Sequence, residues 1–127
     1  AELPEIIERG GDAMIYTSSG AASGGAPWQV AYPMTKNAIH ALARHVASKF
    51  GKQGIRANVI CPGLVLTEAV KQHLTDEYVE RGLKAVPHTR LGLPEDIAAA
   101  VTFLASDDGA WVNGQVWHVN GGAQMRD

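Results

Sequence analysis

The sequence predicts an α/β fold with a parallel sheet, and three observations predict it. Short apolar runs alternate with a segment of helical period, in the order strand, helix, strand, helix, strand. Glycine and proline punctuate the junctions between them. Hydrophobic residues make up 46% and charged residues 19%, the composition of an ordinary folded domain, and 127 residues suffice for one core.

The elements follow in order. Ile6-Ile7-Glu8-Arg9 reads as the end of a helix stopped by Gly10-Gly11, since glycine takes the left-handed cap conformation without steric cost. Ala13 to Thr17 is a short apolar run, a buried strand. The small, glycine-rich stretch Ser18 to Pro27 is a loop. From Pro33 to Phe50 the apolar residues Met34, Ala38, Ile39, Leu42, Ala43, Val46, Ala47 and Phe50 recur at steps of three and four, the helical period. Ile55 to Cys61 reads as a strand ended by Pro62-Gly63. Residues 64 to 90 are polar and irregular, with a short helix around Asp76 to Lys84. Pro94-Glu95-Asp96 opens a helix through Ala105, with proline in its first turn and acids at the positive end of its dipole. Gln115 to Val119 is a last strand. Strands separated by helices need crossover connections, which put helices on both faces of a parallel sheet. Three strands are few against a mean of about 5–6, and the chain opens within a helix. The expectation is that further strands precede Ala1.

Charge and composition exclude several classes of partner. The formal net charge is −2 and no basic stripe occurs, which argues against nucleic acid and anionic membrane. No apolar run is long enough to span a bilayer, and Ala1 to Glu5 lacks the pattern of a signal peptide. The single cysteine, Cys61, has no internal disulfide partner and fits a reducing compartment. A soluble, cytoplasmic protein is expected. The five histidines lack metal-ligand spacing, so no metal site is expected, and solvated or capping roles are assigned to them. Cys61 is expected to be packed and inert. Trp28, Trp111 and Trp117 are expected in core or interface packing.

Tyr32 and Lys36 carry the chemistry. Four residues apart on a helix, a phenol and an ammonium share one face. A phenol is a weak base at neutral pH, and a fixed positive charge nearby favours its anion. Such a pair can protonate an alkoxide or deprotonate an alcohol. The spacing alone occurs by chance on many helices. Ser18-Ser19 adds to it by ending a strand at the carboxyl edge of the sheet, where open α/β folds bind ligands; loop solvation is the plain alternative for a serine there.

Ser19 lies thirteen residues before Tyr32, with Lys36 four beyond. This pattern resembles the active site of the short-chain dehydrogenase/reductase family. Gly54-Ile55-Arg56-Ala57-Asn58 with Pro62-Gly63, Arg90 through Ala98, Phe103 through Asp107, and Gly114-Gln115 through Gly122 resemble later segments of the same family, in register. The resemblance implies a Rossmann-like doubly wound parallel sheet. Residues 1–127 would be the C-terminal catalytic half of its single NAD(P)-binding domain, the N-terminal half lying before Ala1. It also implies hydride transfer between NAD or NADP and a carbonyl or secondary alcohol. By the same resemblance Ser19 would polarise the substrate oxygen, Tyr32 act as general acid/base, and Lys36 tune Tyr32 and bind the nicotinamide ribose. Pro62, Gly63, Val65 and Thr67 would hold the nicotinamide. The family's glycine-rich pyrophosphate turn and the asparagine of its catalytic tetrad have no counterpart in this sequence. The alternative is a non-catalytic packing module. The family commonly assembles as dimers or tetramers, and Ala38, Leu42, Ala43 and Val46 would offer a small apolar face for that purpose.

Overall fold

The computed structural model describes residues 3–9, 11–24 and 29–125. Trp28 and Gly10 lie outside them. The elements are α1 (Leu3–Glu8), β1 (Ala13–Thr17), α2 (Ala31–Phe50), β2 (Arg56–Pro62), α3 (Glu68–Lys71), α4 (Asp76–Ala85), α5 (Pro94–Ala105) and β3 (Val116–Val119), with a one-turn 3₁₀ segment at Gly20–Ser23. The sheet is parallel in the order β1-β2-β3, so β2 is central. Its residues 57–61 are fully buried, as a central parallel strand covered on both faces must be.

The two faces of β2 meet different helices. Ala57, Val59 and Cys61 join Ala43 and Val46 of α2 in one core, with Met14 and Tyr16 of β1 and Val116 of β3 beside them. The other face holds Ile60, Asn58 and Arg56 towards α5. There the Arg56 guanidinium donates to the carbonyls of Leu104, Ser106 and Gly109 at 2.6, 3.2 and 3.0 Å, which satisfies the C-terminal end of α5. Asn58 ties the strand to the turn before β3: it donates to Val112 and accepts from Gln115 at 2.8 and 3.0 Å.

The helical segments start where their ends can be satisfied. α2 begins at Ala31, two residues before the predicted Pro33. Pro33 then occupies the third position of the helix, whose N–H would lack an intrahelical acceptor in any case. Thr67 and Thr75 cap α3 and α4 by accepting from Val70 and Tyr78. The single turn of α3 is too short to show a period, so the sequence leaves it irregular. α5 matches its predicted span. Asp96 accepts from Leu93 N–H at 2.8 Å and pairs with Arg90 through both oxygens at 2.7 and 2.8 Å, which holds its carboxyl far below the usual carboxylate range. Among the described residues no helix is long and apolar enough to cross a membrane.

Two packing expectations are corrected. Ala43 and Val46 belong to the chain's own core and are not available to a partner, because α2 turns that stripe onto β2. Trp111 is 99% exposed in the turn after α5, so the core half of its expected core or interface packing is corrected. Trp117 does pack, stacking on Phe103 with centroids 5.5 Å apart.

Candidate active site

The carboxyl end of β1 and the first two turns of α2 meet at one corner of the sheet. Tyr32 and Lys36 stand one turn apart on α2, with the ammonium 5.9 Å from the centroid of the phenol ring. Lys36 Nζ donates to the carbonyl of Thr17, the last residue of β1, at 3.1 Å. The ammonium is therefore held at the strand end rather than free in solvent. Tyr32 is 47% exposed, so its hydroxyl is open to an incoming molecule. Ser19 Oγ accepts from Ala21 N–H at 3.2 Å and caps the 3₁₀ turn. Its own proton remains available to donate.

The second strand brings Pro62 and Gly63 to Ser19, whereas Tyr32, Lys36, Val65 and Thr67 do not line the cleft they form. Ser19 and the Pro62-Gly63 turn line one open cleft of about 460 Å³, together with Leu64 and Asn120. Gly63 is required by packing: a Cβ there would come within 2.7 Å of Asn120 Cα, too close for any side chain. The chain then bridges to residues 91–92. Leu66 N–H donates to Gly92 and Gly92 N–H to Leu64, at 2.8 and 3.1 Å. Val65, between the bonded residues 64 and 66, turns its N–H away from the bridge, while its carbonyl accepts from Thr67 N–H at 2.9 Å. Thr67 is exposed, and its hydroxyl serves as the α3 cap, a role the sequence reading did not foresee.

This donor set fits one end of a nicotinamide dinucleotide. An ammonium at a strand end suits a ribose diol, and a turned-out backbone N–H with a threonine hydroxyl suits a carboxamide. The fit extends only that far, because the sequence carries no glycine-rich turn for the pyrophosphate. Among the described residues no cluster of His, Cys, Asp or Glu could hold a metal ion.

Sequence reasoning misjudged one residue at this corner and left another open. His40, assigned a solvated or capping role, is 6% exposed, and Ser18, for which loop solvation was the plain alternative, is 4% exposed. Ser18 Oγ lies 2.9 Å from the carbonyl of Lys36 and 2.8 Å from His40 Nε2. Burial, with Arg44 and His118 nearby, lowers the His40 pKa from its ordinary value. One signal could have revealed this: His40 continues inward to Ala43 and Val46 at helical spacing, so it belongs to the buried stripe. Cys61 is packed as expected, and burial pushes its thiol up.

Comparison with known proteins agrees with this architecture. The family described as enoyl-(acyl carrier protein) reductase matches residues 1–124. A 7alpha-hydroxysteroid dehydrogenase of Escherichia coli K12 is 39% identical over 119 residues, covering 94% of this chain and 47% of the relative. An L-rhamnose 1-dehydrogenase (NAD(P)(+)) of a Sphingomonas strain is 39% identical over 124 residues, covering 96% of this chain and 49% of the relative. Among solved structures, a 7alpha-hydroxysteroid dehydrogenase in complex with NADH and 7-oxo glycochenodeoxycholic acid superposes with a TM-score of 0.86 at 39% identity, over 94% of this chain and 47% of that one. A short-chain type dehydrogenase/reductase from Mycobacterium ulcerans superposes with a TM-score of 0.84 at 35% identity, over 94% and 44%. The chain thus spans about half the length of the relatives it matches. On sequence, fold and the order of its elements, this chain belongs to the short-chain dehydrogenase/reductase family.

Proposed function

We propose that this chain supplies the catalytic face of an NAD- or NADP-dependent oxidoreductase acting on a carbonyl or secondary alcohol. The observation that carries this reading is the corner itself, where Lys36 is anchored to the end of β1 and stands over an exposed Tyr32. The nicotinamide, when bound, supplies or accepts the hydride. Tyr32 gives a proton to the substrate oxygen in reduction and removes it in oxidation. Ser19, at the mouth of the cleft, donates to the same oxygen and orients it. Lys36 tunes Tyr32 as the family resemblance implies, and its ammonium reaches the ribose. Val65 and Thr67, beyond the Pro62-Gly63 turn, hold the carboxamide. The segment between Leu64 and Arg90 lies beside this cleft and sets the substrate.

The adenosine end needs a further segment. β1 pairs only with β2 among the described residues, and its other edge is open. A half-buried parallel strand with a bare edge calls for another strand, and the relatives are about twice as long. We assign that strand and the pyrophosphate site to the front half of the enzyme. Assembly into a dimer or tetramer uses the outward stripe of α2, where Val30, Met34 and Leu42 are 70%, 65% and 48% exposed. A purely packing role for the chain would use the same stripe.

The deciding experiment measures NAD(P)-dependent oxidation of secondary alcohols across pH with Lys36→Met beside the unaltered enzyme. The half-maximal pH should rise and nucleotide binding should weaken. An unchanged profile would favour the packing role. Intact mass and light scattering of the purified protein test the second segment and the oligomer together.

A further inference from the structure

We infer that Ser18 and His40 form a buried clamp that fixes the Lys36 turn of α2 against the end of β1, and that His40 is a positioning residue for the reaction. The effect on rate rests on the function proposed above, whereas the clamp itself does not.

Proton counting defines the clamp. Ser18 Oγ faces three groups, the Lys36 carbonyl at 2.9 Å, His40 Nε2 at 2.8 Å and the Cys61 thiol, which is itself a weak donor. A hydroxyl has one proton, and a carbonyl can only accept. The Ser18 proton goes to Lys36, so Ser18 oxygen accepts from His40, and Nε2 carries the hydrogen. Cys61 Sγ, 3.5 Å from the same Nε2, then takes a weak share of that N–H. Neutral His40 is accordingly the Nε2–H tautomer with a bare Nδ1.

The consequence is mechanical. Lys36 and His40 are one helical turn apart, and Ser18 is wedged between the carbonyl of one and the ring of the other. Ser18 N–H is itself bonded to Ile60 of β2 at 2.8 Å. Thr17, the preceding residue, accepts from the Lys36 ammonium at 3.1 Å. Two consecutive residues of the β1 end therefore hold both the backbone and the side chain of Lys36. Ser19 comes next in the chain, so its place relative to Lys36 is set by the same contacts. Tertiary packing alone would accept any residue of this size at position 40; a clamp requires a donor there.

Two measurements test this. In the unaltered protein, the histidine ¹⁵N spectrum at neutral pH should show His40 as the Nε2–H tautomer. An Nδ1–H tautomer would overturn the clamp, since Ser18 would then be donating to the ring and not to α2. In the active enzyme, His40→Leu should lower kcat about tenfold through misplacement of Lys36. KM for the alcohol should stay within about twofold. His40→Gln, which keeps an N–H donor, should restore most of the loss. Equal kcat in both variants, or equal loss, would overturn the positioning role. If neither variant folds, the tautomer of the unaltered protein decides. If Tyr32→Phe retained its activity, the proposed chemistry would fall while the tautomer result stood, so the two failures are distinguishable.

Discussion

The β1–α2 corner and the segment from Leu64 to Arg90 border the same cleft and are built in opposite ways. At the corner, residues far apart in sequence are cross-linked: Ser18 to Lys36, His40 and Ile60, and Lys36 to Thr17. Around Leu64 to Arg90 the bonds are mostly local. Thr67 caps its own turn, Thr75 caps its own helix, and Lys71 pairs with Glu68 in an exposed ion pair. The longer-range ties are the two backbone bonds to Gly92 and the reach of Arg90 to Asp96. On the function proposed above, this difference places proton transfer where two regular elements are locked, and substrate choice where helices one to three turns long can be rebuilt without disturbing the lock.

The sharpest way to break this contrast is to remove the chemistry from the corner. Tyr32→Phe deletes one exposed hydroxyl and no packing, so folding and nucleotide binding should be preserved. Turnover should fall by about 10²–10⁴-fold, the usual contribution of general acid/base catalysis. Steady-state rates in both directions check it, and more than a tenth of the original rate would assign the proton to another group.

The second test concerns stability. Val59 is fully buried in the core shared by α2 and β2. Val59→Ala should cost about 2–3 kcal/mol from lost burial and the cavity left behind. Chemical denaturation should show the loss as one cooperative shift for the whole domain. A loss confined to one element would mean that the corner is not a single unit.

Thr75→Ala asks the same of the other region. Its hydroxyl caps α4 and nothing distant. Loss of such a cap costs about 1 kcal/mol. Hydrogen exchange should quicken at the first amides of α4 and leave β2 unchanged. Faster exchange in β2 would show that α4 is coupled to the core after all.

How much could be read beforehand follows from the same contrast. β1, the span of α5 and the Ser19, Tyr32 and Lys36 spacing were legible, because apolar runs, caps and fixed intervals are local signals. α3 was not, since one turn has no period. The contacts of Ser18 and His40 were not legible because their partners lie 18 and 22 residues away. Nothing near a polar residue in sequence reveals that it will be buried against another. The packing role of Gly63 was likewise hidden, because its reason is the approach of Asn120, just past β3.

The smallest expected effect is the pH dependence of the corner's stability. His40 is faced by Arg44 on its own helix, His118 on β3, Cys61 on β2 and Ser18 at the end of β1. None of these is an anion at neutral pH that would welcome a second charge. Burial first, then Arg44 and His118, depress the His40 pKa in the folded state below the ordinary value of about 6.5. The unfolded chain therefore binds a proton before the folded one does. The stabilisation is full above about pH 6.5 and is lost as pH falls towards the folded pKa, with a slope of at most about 1.4 kcal/mol per pH unit for one proton. The clamp survives protonation, because Nε2 keeps its hydrogen and its bond to Ser18; what is lost is the dry, uncharged setting of the ring. Denaturation midpoints compared at pH 7.5 and 5.5 should fall in the unaltered protein and fall less in His40→Gln. Equal falls in both would assign the acid sensitivity to groups other than His40, and would separate the corner's geometry from its response to acid.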